Sequence, residues 1–321
     1  MELPPRIRLA QQPTPLQEYP RLREAWGGPH IWVKRDDLTG FGLSGNKVRK
    51  LEFHLAAAQD AGADVVITCG GIQSNHCRAT ALACARLGFD AMLFLRTPDG
   101  RPPVASTGNH RLCEMAGADI RYVTPEQYQD RDAIMRGEAA ALVDRGRSPW
   151  VIPEGASDVL GMWGMALAYQ EMMDQSVTIG GRVAEVWHTA SSGGTTAGFG
   201  WAADRAGFST PQVAVSISDP VDELRARVEA IWSDAVAGTG DAMPEPDLEY
   251  LGKYLSGGYG VVSEEQRHVQ AKITRLTGLL FDGTYTGKAF YALRREIATG
   301  RFRDDDHVIF WHTGGGFGVL V

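Results

Sequence analysis

Short apolar runs alternate along this chain with longer stretches in which apolar residues recur every three or four positions. Val48, Leu51, Leu55 and Ala58 show the second pattern, which is typical of an amphipathic helix, whereas the short runs predict buried strands. The predicted strands cover residues 31–34, 64–69, 91–95, 120–123, 150–153, 183–188, 213–217, 279–281 and 308–311. The predicted helices cover residues 48–58, 77–87, 107–116, 126–145, 159–173, 195–204, 221–236, 264–277 and 286–297. This alternation predicts an α/β fold with open twisted, mostly parallel sheets and helices on both faces.

The chain has neither an internal repeat nor a linker of disordered composition, which predicts two α/β lobes in close contact. Ligands of parallel sheets bind in the loops that leave the carboxyl ends of the strands. Four such loops are rich in glycine or in chemically active side chains, at residues 70–76, 190–196, 282–287 and 312–318.

The composition excludes several classes of function. Of the 321 residues, 44% are hydrophobic and 22% are charged, as in ordinary soluble globular proteins. The net charge of −7 argues against non-specific binding to nucleic acid or to acidic membranes. No apolar run approaches the roughly 18 residues of a membrane span, and the first residues lack the apolar region of a signal peptide, so we expect a cytoplasmic protein.

The four cysteines, Cys69, Cys77, Cys84 and Cys113, have no disulfide-framework spacing, which indicates reduced thiols. Cys69 and Cys77 bracket His76, but this spacing matches no metal motif. No metal site is predicted.

Residues 44–50, Ser-Gly-Asn-Lys-Val-Arg-Lys, place three basic side chains at a predicted helix start. The positive end of the helix dipole disfavours each cation there by up to about 1 kcal/mol. Residues that go against such a local preference tend to mark a functional site. A helix start also offers backbone N–H groups to an anion, and Lys47 and Lys50 lie on one face of this helix. The segment therefore predicts an anionic cofactor, with a solvated basic patch as the alternative.

Residues 191–198, Ser-Ser-Gly-Gly-Thr-Thr-Ala-Gly, join a predicted strand to a predicted helix. Glycines let the backbone approach an oxyanion, hydroxyl groups donate further hydrogen bonds, and the helix start favours a phosphate. The loop is neither a P-loop nor a Gly-x-Gly-x-x-Gly dinucleotide loop, so a single phosphate fits better than a nucleotide. A plain glycine turn remains the alternative.

Residues 70–76 end in Gln73, Ser74, Asn75 and His76, whose side chains can bind a carboxylate or a ring hydroxyl group. The alternative is that Ser74 or Asn75 caps the following helix. Tyr259 and Tyr285 lie in two further glycine-containing segments, where a tyrosine either packs or acts as an acid or base. A lysine amine, a separate phosphate cup and a carboxylate-binding loop together match the needs of pyridoxal phosphate and an amino-acid substrate.

Five motifs then resemble, in order and spacing, the D-cysteine desulfhydrase and 1-aminocyclopropane-1-carboxylate deaminase family, at residues 34–38, 44–50, 70–76, 284–288 and 312–315. These are fold-type II pyridoxal phosphate enzymes, related to the tryptophan synthase β subunit. The resemblance spans about residues 10–318. It implies a homodimer in which each chain has a large cofactor-binding domain, residues 1–47 and 158–321, and a small mobile domain, residues 48–157, with the active site between them.

The resemblance also implies a role for each predicted site residue. Lys47 would be the Schiff-base lysine that moves the substrate Cα proton, with Ser74, Tyr259 and Tyr285 as the other catalytic residues. The cofactor would be held at its phosphate by Lys50, Gly193, Gly194, Thr195 and Thr196, at its 3-hydroxyl by Asn75 and at its pyridine nitrogen by Thr286. The small amino-acid substrate would be bound by Gln73, Ser74, Asn75, His76, Tyr259, Tyr285 and Thr313.

Thr286 and Thr313 resemble the desulfhydrases, because the deaminases carry Glu and Leu at these positions. A hydroxyl at the pyridine nitrogen makes a weaker electron sink than a carboxylate, which suffices for expelling thiolate. We therefore expect α,β-elimination from D-cysteine to pyruvate, ammonia and hydrogen sulfide. The chain departs from the family's usual sequence at two places: Ser44 stands where the family has Gly, and Gly283-Thr284 stands where it has Pro-Val.

The alternatives to D-cysteine elimination are 1-aminocyclopropane-1-carboxylate deamination, elimination from L-cysteate, L-cysteine or another β-substituted amino acid, and a binding protein without catalysis.

Overall fold

Two separate β-sheets organise the chain. The computed structural model describes residues 3–255, 257–258 and 260–321. The strands are β1 Leu16–Glu18, β2 His30–Arg35, β3 Val65–Gly71, β4 Asp90–Arg96, β5 Asp119–Val123, β6 Pro149–Val151, β7 Val183–Ala190, β8 Gln212–Ser216, β9 Leu248–Leu251 and β10 His307–His312. The helices are α1 Pro20–Trp26, α2 Lys47–Asp60, α3 Asn75–Leu87, α4 Gly108–Met115, α5 Pro125–Gln129, α6 Arg131–Val143, α7 Val159–Ser176, α8 Gly194–Ala206, α9 Val221–Thr239, α10 Glu264–Thr277 and α11 Thr286–Ala298.

The larger sheet has the strand order β1-β2-β10-β7-β8-β9, and the smaller has the order β5-β4-β3-β6. Every pair is parallel except β1 with β2, at one edge of the larger sheet. Central strands of parallel sheets are covered on both faces, which explains why β8 is buried along its whole length. The predicted α/β fold with two mostly parallel sheets is confirmed.

Helix α2 connects the two sheets through its two faces. Val48, Leu51 and Leu55 pack with Val66 of the smaller sheet. On another face, Phe53 packs with Trp163 of α7. The helices α2 and α7 approach so closely that a β-carbon at Gly164 would lie 2.2 Å from the carbonyl oxygen of Arg49. The first turn of α2 is therefore fixed between the two halves of the molecule. The predicted domain boundaries after residues 47 and 157 stay a prediction.

Two sequence-based element predictions are wrong. Residues 279–281 form no strand, because Phe281 packs over the face of the larger sheet, 4.9 Å from Phe290 and 5.6 Å from Phe310 between ring centroids. The predicted helix over 126–145 is two helices, α5 and α6, which meet at Asp130. Strands β1 and β9 and helix α1 were not predicted from the sequence, since each is short. Among the described residues, no helix is long and apolar enough to cross a membrane.

Candidate active site

A cleft of about 840 Å³ opens where the carboxyl ends of the two sheets face each other. From the smaller sheet it receives the loops after β3 and β6, and from the larger sheet the loops after β7, β8 and β10. Asn46 and Lys47 reach it from the start of α2. The volume is within the range of about 300–1,000 Å³ that small-molecule sites occupy.

Lys47 is the first residue of α2, and Lys50 follows one turn later. Burial lowers the pKa of Lys47 to about 8, while the negative charge of Glu154 acts in the opposite direction. Lys50 is fully buried, and its pKa lies well below the usual value because of burial and then because of the nearby charge of Lys47. Among the described residues, Lys50 Nζ donates to the carbonyl oxygen of Gly155 at 3.3 Å and to Ser157 Oγ at 3.2 Å, and to no other acceptor. Within the described part of the chain neither amine forms a salt bridge, and the carboxylates of Glu154 and Asp158 act on Lys47 and Lys50 only through longer-range charge.

The glycine loop after β7 lies directly beside Lys50. Gly193 has a φ of +90°, and α8 begins at Gly194. A β-carbon at Gly194 would lie 2.7 Å from Lys50 Nζ and 2.9 Å from the backbone Cα of Ser157, and the backbone contact favours glycine here. Thr195 Oγ1 accepts a hydrogen bond from Asn46 Nδ2 at 3.0 Å, and Thr196 Oγ1 lies 3.0 Å from His188 Nε2. The N–H groups of a helix start and a buried ammonium thus meet at one point, which is the arrangement a phosphate needs.

In the loop after β3, Ser74 is the N-cap of α3 and accepts a hydrogen bond from the Cys77 N–H at 3.2 Å. His76 is buried, and its Nε2 lies 2.8 Å from Thr68 Oγ1. Burial, followed by the charges of Lys47 and Lys50, holds the pKa of His76 well below its usual value, so the ring is neutral. Because the Thr68 hydroxyl donates to the carbonyl of Ile152, it accepts from His76, whose proton is therefore on Nε2.

The other predicted site residues differ in their relation to the cleft. Tyr285 and Thr313 line it, but Gln73 does not. Gln73 turns to α4, where its Oε1 accepts from the Asn109 N–H at 2.9 Å and its Nε2 donates to the carbonyl of Thr107 at 3.2 Å. Thr286 is fully buried and is not among the residues that line the cleft. Tyr259 lies outside the described residues, and the functional role of each predicted residue stays a prediction.

Asp282 supports the start of α11, beside Thr286. Its Oδ1 accepts from the Thr286 N–H at 3.0 Å and from the Thr286 hydroxyl at 3.2 Å. Burial raises the pKa of Asp282 to about 7, against the lowering effect of these hydrogen bonds.

The sequence reasoning missed the cleft loop after β6. Glu154 accepts from the Tyr128 hydroxyl at 2.8 Å and lies 3.2 Å from Arg131 Nε. Ser157 Oγ lies 2.7 Å from Ser192 Oγ and so joins this loop to the glycine loop. The signal was present, because a polar, glycine-containing segment follows a strand here as in the other site loops.

Comparisons with known proteins establish the family. The family described as pyridoxal-phosphate dependent enzymes matches residues 7–314. The chain belongs to this family. D-cysteine desulfhydrases of Salmonella typhi and of Salmonella choleraesuis (strain SC-B67) are each 35% identical to this enzyme over 313 residues, which are 97% of its chain and 94% of theirs.

Solved structures agree with this assignment. A crystal structure of an ACC deaminase homologue superposes on the enzyme with a TM-score of 0.88 and 32% identity, covering 99% of this chain and 94% of that one. A fungal L-serine ammonia-lyase from Rhizomucor miehei gives a TM-score of 0.65 at 15% identity, with 96% and 94% covered, and so shares the fold.

The residues of the cleft fit the cofactor of this family. Lys47 brings an amine of lowered pKa to the cleft. Lys50 does not itself line the cleft but hydrogen-bonds Gly155 and Ser157, which do, and it would hold the phosphate together with the start of α8. Two buried polar atoms at the cleft, Thr189 Oγ1 and His76 Nδ1, have no hydrogen-bond partner within the described part of the chain. Buried polar atoms are normally paired, so unpaired ones at a cleft indicate a ligand.

Proposed function

We propose that this pyridoxal phosphate enzyme is a carbon–sulfur lyase that catalyses α,β-elimination from D-cysteine, giving pyruvate, ammonia and hydrogen sulfide. The observation that carries the proposal is the pair of a half-buried Lys47 and a fully buried Lys50 beside the glycine loop, neither of which forms a salt bridge within the described residues. The D-cysteine desulfhydrases that are 35% identical over nearly the whole chain support the choice of substrate.

The cofactor, when bound, supplies the electron sink for a carbanion at the substrate Cα. The residues of the chain bind, orient and move protons. Lys47 removes the Cα proton, because an amine with a pKa of about 8 is partly unprotonated at neutral pH. Ser74 and the N–H groups at the start of α3 hold the substrate carboxylate. Lys50 and residues 193–196 would hold the phosphate of the cofactor, Asn75 its 3-hydroxyl and Thr286 its pyridine nitrogen.

Tyr285 lies on the cleft wall and would face the substrate with Tyr259. Expulsion of the β-sulfur leaves aminoacrylate, which takes up water to give pyruvate and ammonia. His76 is neutral and buried, so its role would be to fix the loop around the substrate rather than to donate a proton.

The alternative substrate is 1-aminocyclopropane-1-carboxylate, and the ACC deaminase homologue of 32% identity supports considering it. Thr286 and Thr313 favour D-cysteine, because the deaminases carry Glu and Leu at these positions. Ser44 and Thr284 leave elimination from L-cysteate or L-cysteine as further alternatives. The homodimer, the cytoplasmic location and the small mobile domain of residues 48–157 belong to the same proposal.

The test is an assay of purified protein with pyridoxal phosphate and, separately, D-cysteine, L-cysteine, L-cysteate and 1-aminocyclopropane-1-carboxylate. We expect sulfide and pyruvate in equal amounts from D-cysteine, and no 2-oxobutyrate from the cyclopropane substrate. The Lys47→Ala variant should lose both turnover and the visible absorption of the bound cofactor. Normal turnover by this variant would exclude the proposed role of Lys47.

A further inference from the structure

Arg78 is a fully buried arginine in the first turns of α3, three residues after Asn75. Burial lowers the pKa of Arg78 to about 10, so the guanidinium remains charged at neutral pH. Within residues 3–255, 257–258 and 260–321 it forms no salt bridge. A buried charge without an opposite charge is costly, and so is a cation at a helix start. These costs indicate that Arg78 has a role beyond stabilising the fold.

The guanidinium joins parts of the chain on both sides of the cleft. Its Nη2 donates to the carbonyl oxygen of Ser44, in the loop that leads into Lys47. Its Nη1 donates to Asn109 Oδ1 at 3.1 Å and contacts Asn75 Oδ1 at 3.4 Å. Its Cζ lies 5.0 Å from the ring centroid of Phe317, near the end of the chain.

These contacts fix the orientation of the neighbouring amide groups. A guanidinium can only donate hydrogen bonds, so Asn109 and Asn75 must both turn their amide oxygens towards Arg78. Asn109 Nδ2 then donates to Asn75 Oδ1 at 3.0 Å and to the carbonyl of Gln73 at 2.9 Å. Asn75 Oδ1 thus accepts from two donors. Asn75 lines the cleft, and its Nδ2 is the part of the amide that is left to donate to a group there.

We propose that Arg78 is a positioning residue, which holds the Asn75 amide with its NH₂ group directed to an oxyanion of the bound ligand and ties the loop before Lys47 to the same helix. The inference rests on the proposed function, in which that oxyanion is the 3-oxygen of the cofactor ring. Without Arg78 the Asn75 Oδ1 keeps only the hydrogen bond from Asn109 Nδ2, so a half-turn of the Asn75 amide costs less. That half-turn would present the amide oxygen to the ligand, which repels an anion.

The experiment compares Arg78→Met and Arg78→Lys with Arg86→Met, a matched control at an exposed position on the same helix. Binding of pyridoxal phosphate to each ligand-free protein is titrated by absorbance. Loss of one charge-assisted hydrogen bond raises the Kd by about tenfold or more. We expect this increase in both Arg78 variants, because the single ammonium of lysine cannot replace the planar guanidinium that hydrogen-bonds both Asn75 and Asn109. We expect no increase in Arg86→Met.

The second readout is the ratio of the two absorption bands of the bound cofactor at one pH. A donor to the ionised 3-oxygen favours the ionised form, so we expect the band of the neutral form to increase in the Arg78 variants. The same change made in an Asn75→Ala background should have no further effect on this ratio, since Arg78 acts through Asn75.

An unchanged band ratio in a folded Arg78 variant overturns the inference while leaving the proposed function intact. A change of equal size in the Asn75→Ala background also overturns it, because the effect would then bypass Asn75. If Arg78→Met fails to fold, the Arg78→Lys result decides. A wild-type protein that takes up no pyridoxal phosphate overturns the proposed function, and this inference with it.

Discussion

Lys50 Nζ lies so close to the start of α8 that a β-carbon at Gly194 would be 2.7 Å from it and 2.8 Å from Ser157 Oγ. The same β-carbon would lie 2.9 Å from the backbone Cα of Ser157, which cannot move aside as the end of a side chain can. We therefore expect Gly194→Ala to be destabilised by about 1–3 kcal/mol through overpacking and to bind pyridoxal phosphate more weakly. Chemical denaturation and cofactor titration measure the two effects.

Gly137→Ala is the control for this substitution. Gly137 lies inside α6, and a β-carbon there would meet nothing within 4 Å. This variant should be stabilised by about 0.5–1 kcal/mol, because alanine is the better helix former. Equal effects of the two substitutions would contradict the close contact at Gly194.

Lys50→Met should affect the ligand-free protein and the loaded protein in opposite ways. Methionine fills a similar space and removes a buried amine that forms no salt bridge within the described residues and whose charged form burial disfavours, so the melting temperature of the ligand-free protein should stay the same or rise. The affinity for pyridoxal phosphate should fall by about 10- to 100-fold, the usual value of a hydrogen bond to a charged group. A lower melting temperature with unchanged affinity would show that Lys50 is structural and does not hold the phosphate.

The rate at which ligand-free protein takes up pyridoxal phosphate covalently should depend on pH through Lys47. Only the unprotonated amine attacks a carbonyl, so the rate should rise with pH and level off above about 8. Glu154→Gln should move the midpoint to lower pH, because the negative charge of Glu154 raises the pKa of Lys47. Stopped-flow absorbance gives the midpoints, with the exposed Glu24→Gln as the control. A midpoint that stays in place or rises in Glu154→Gln would refute the assignment of the pH dependence to Lys47 under the influence of Glu154.

Asp282 should make the free energy of unfolding depend on pH. Burial raises its pKa to about 7 in the folded protein, whereas an unfolded chain has a value of about 3.9. Between these values the folded state holds a proton that the unfolded state has released, so the contribution of Asp282 falls as pH rises from about 4 to about 7. The difference in unfolding free energy between wild type and Asp282→Asn should decrease over this range, by up to about 4 kcal/mol, and stay constant above it. Urea denaturation over a pH series tests this, and a difference independent of pH would contradict the raised pKa.

Sequence alone predicted most of the fold and several site loops, because both depend on local rules. Strand and helix periodicity predicted a parallel sheet with helices on its faces, and the family resemblance added the division into two sheets. The position of loops at strand ends identified residues 70–76 and 190–196 on the cleft. Residues 279–281 were mistaken for a strand because an apolar run indicates buried side chains but not hydrogen-bonded strand pairing. Phe281 is buried, yet within the described chain its backbone pairs with no strand.

The contacts that connect distant parts of the chain could not be predicted in this way. In the sequence Arg78 looks like an ordinary helix residue, because its partners Ser44 and Asn109 are distant in the chain and lie beside it only in the folded protein. Asp282 was visible only as part of a motif, and its raised pKa comes from burial by other segments. Gln73 has an amide side chain that could bind a ligand. Its amide oxygen and nitrogen are instead hydrogen-bonded to Asn109 of α4 and to Thr107, the residue before α4.

The pairing of β2 with β10 determines when this enzyme can become active during its synthesis. The four strands of the smaller sheet lie together in the sequence, so this sheet can form while translation continues. Lys47 is made early, but the loop before it hydrogen-bonds Thr313 through the Asn46 N–H at 3.0 Å, and β2 requires its neighbour β10. At about 5–20 residues per second the ribosome reaches that last strand tens of seconds after β2. A nascent chain therefore carries its reactive lysine without a finished binding site until β10 and Thr313 have been made.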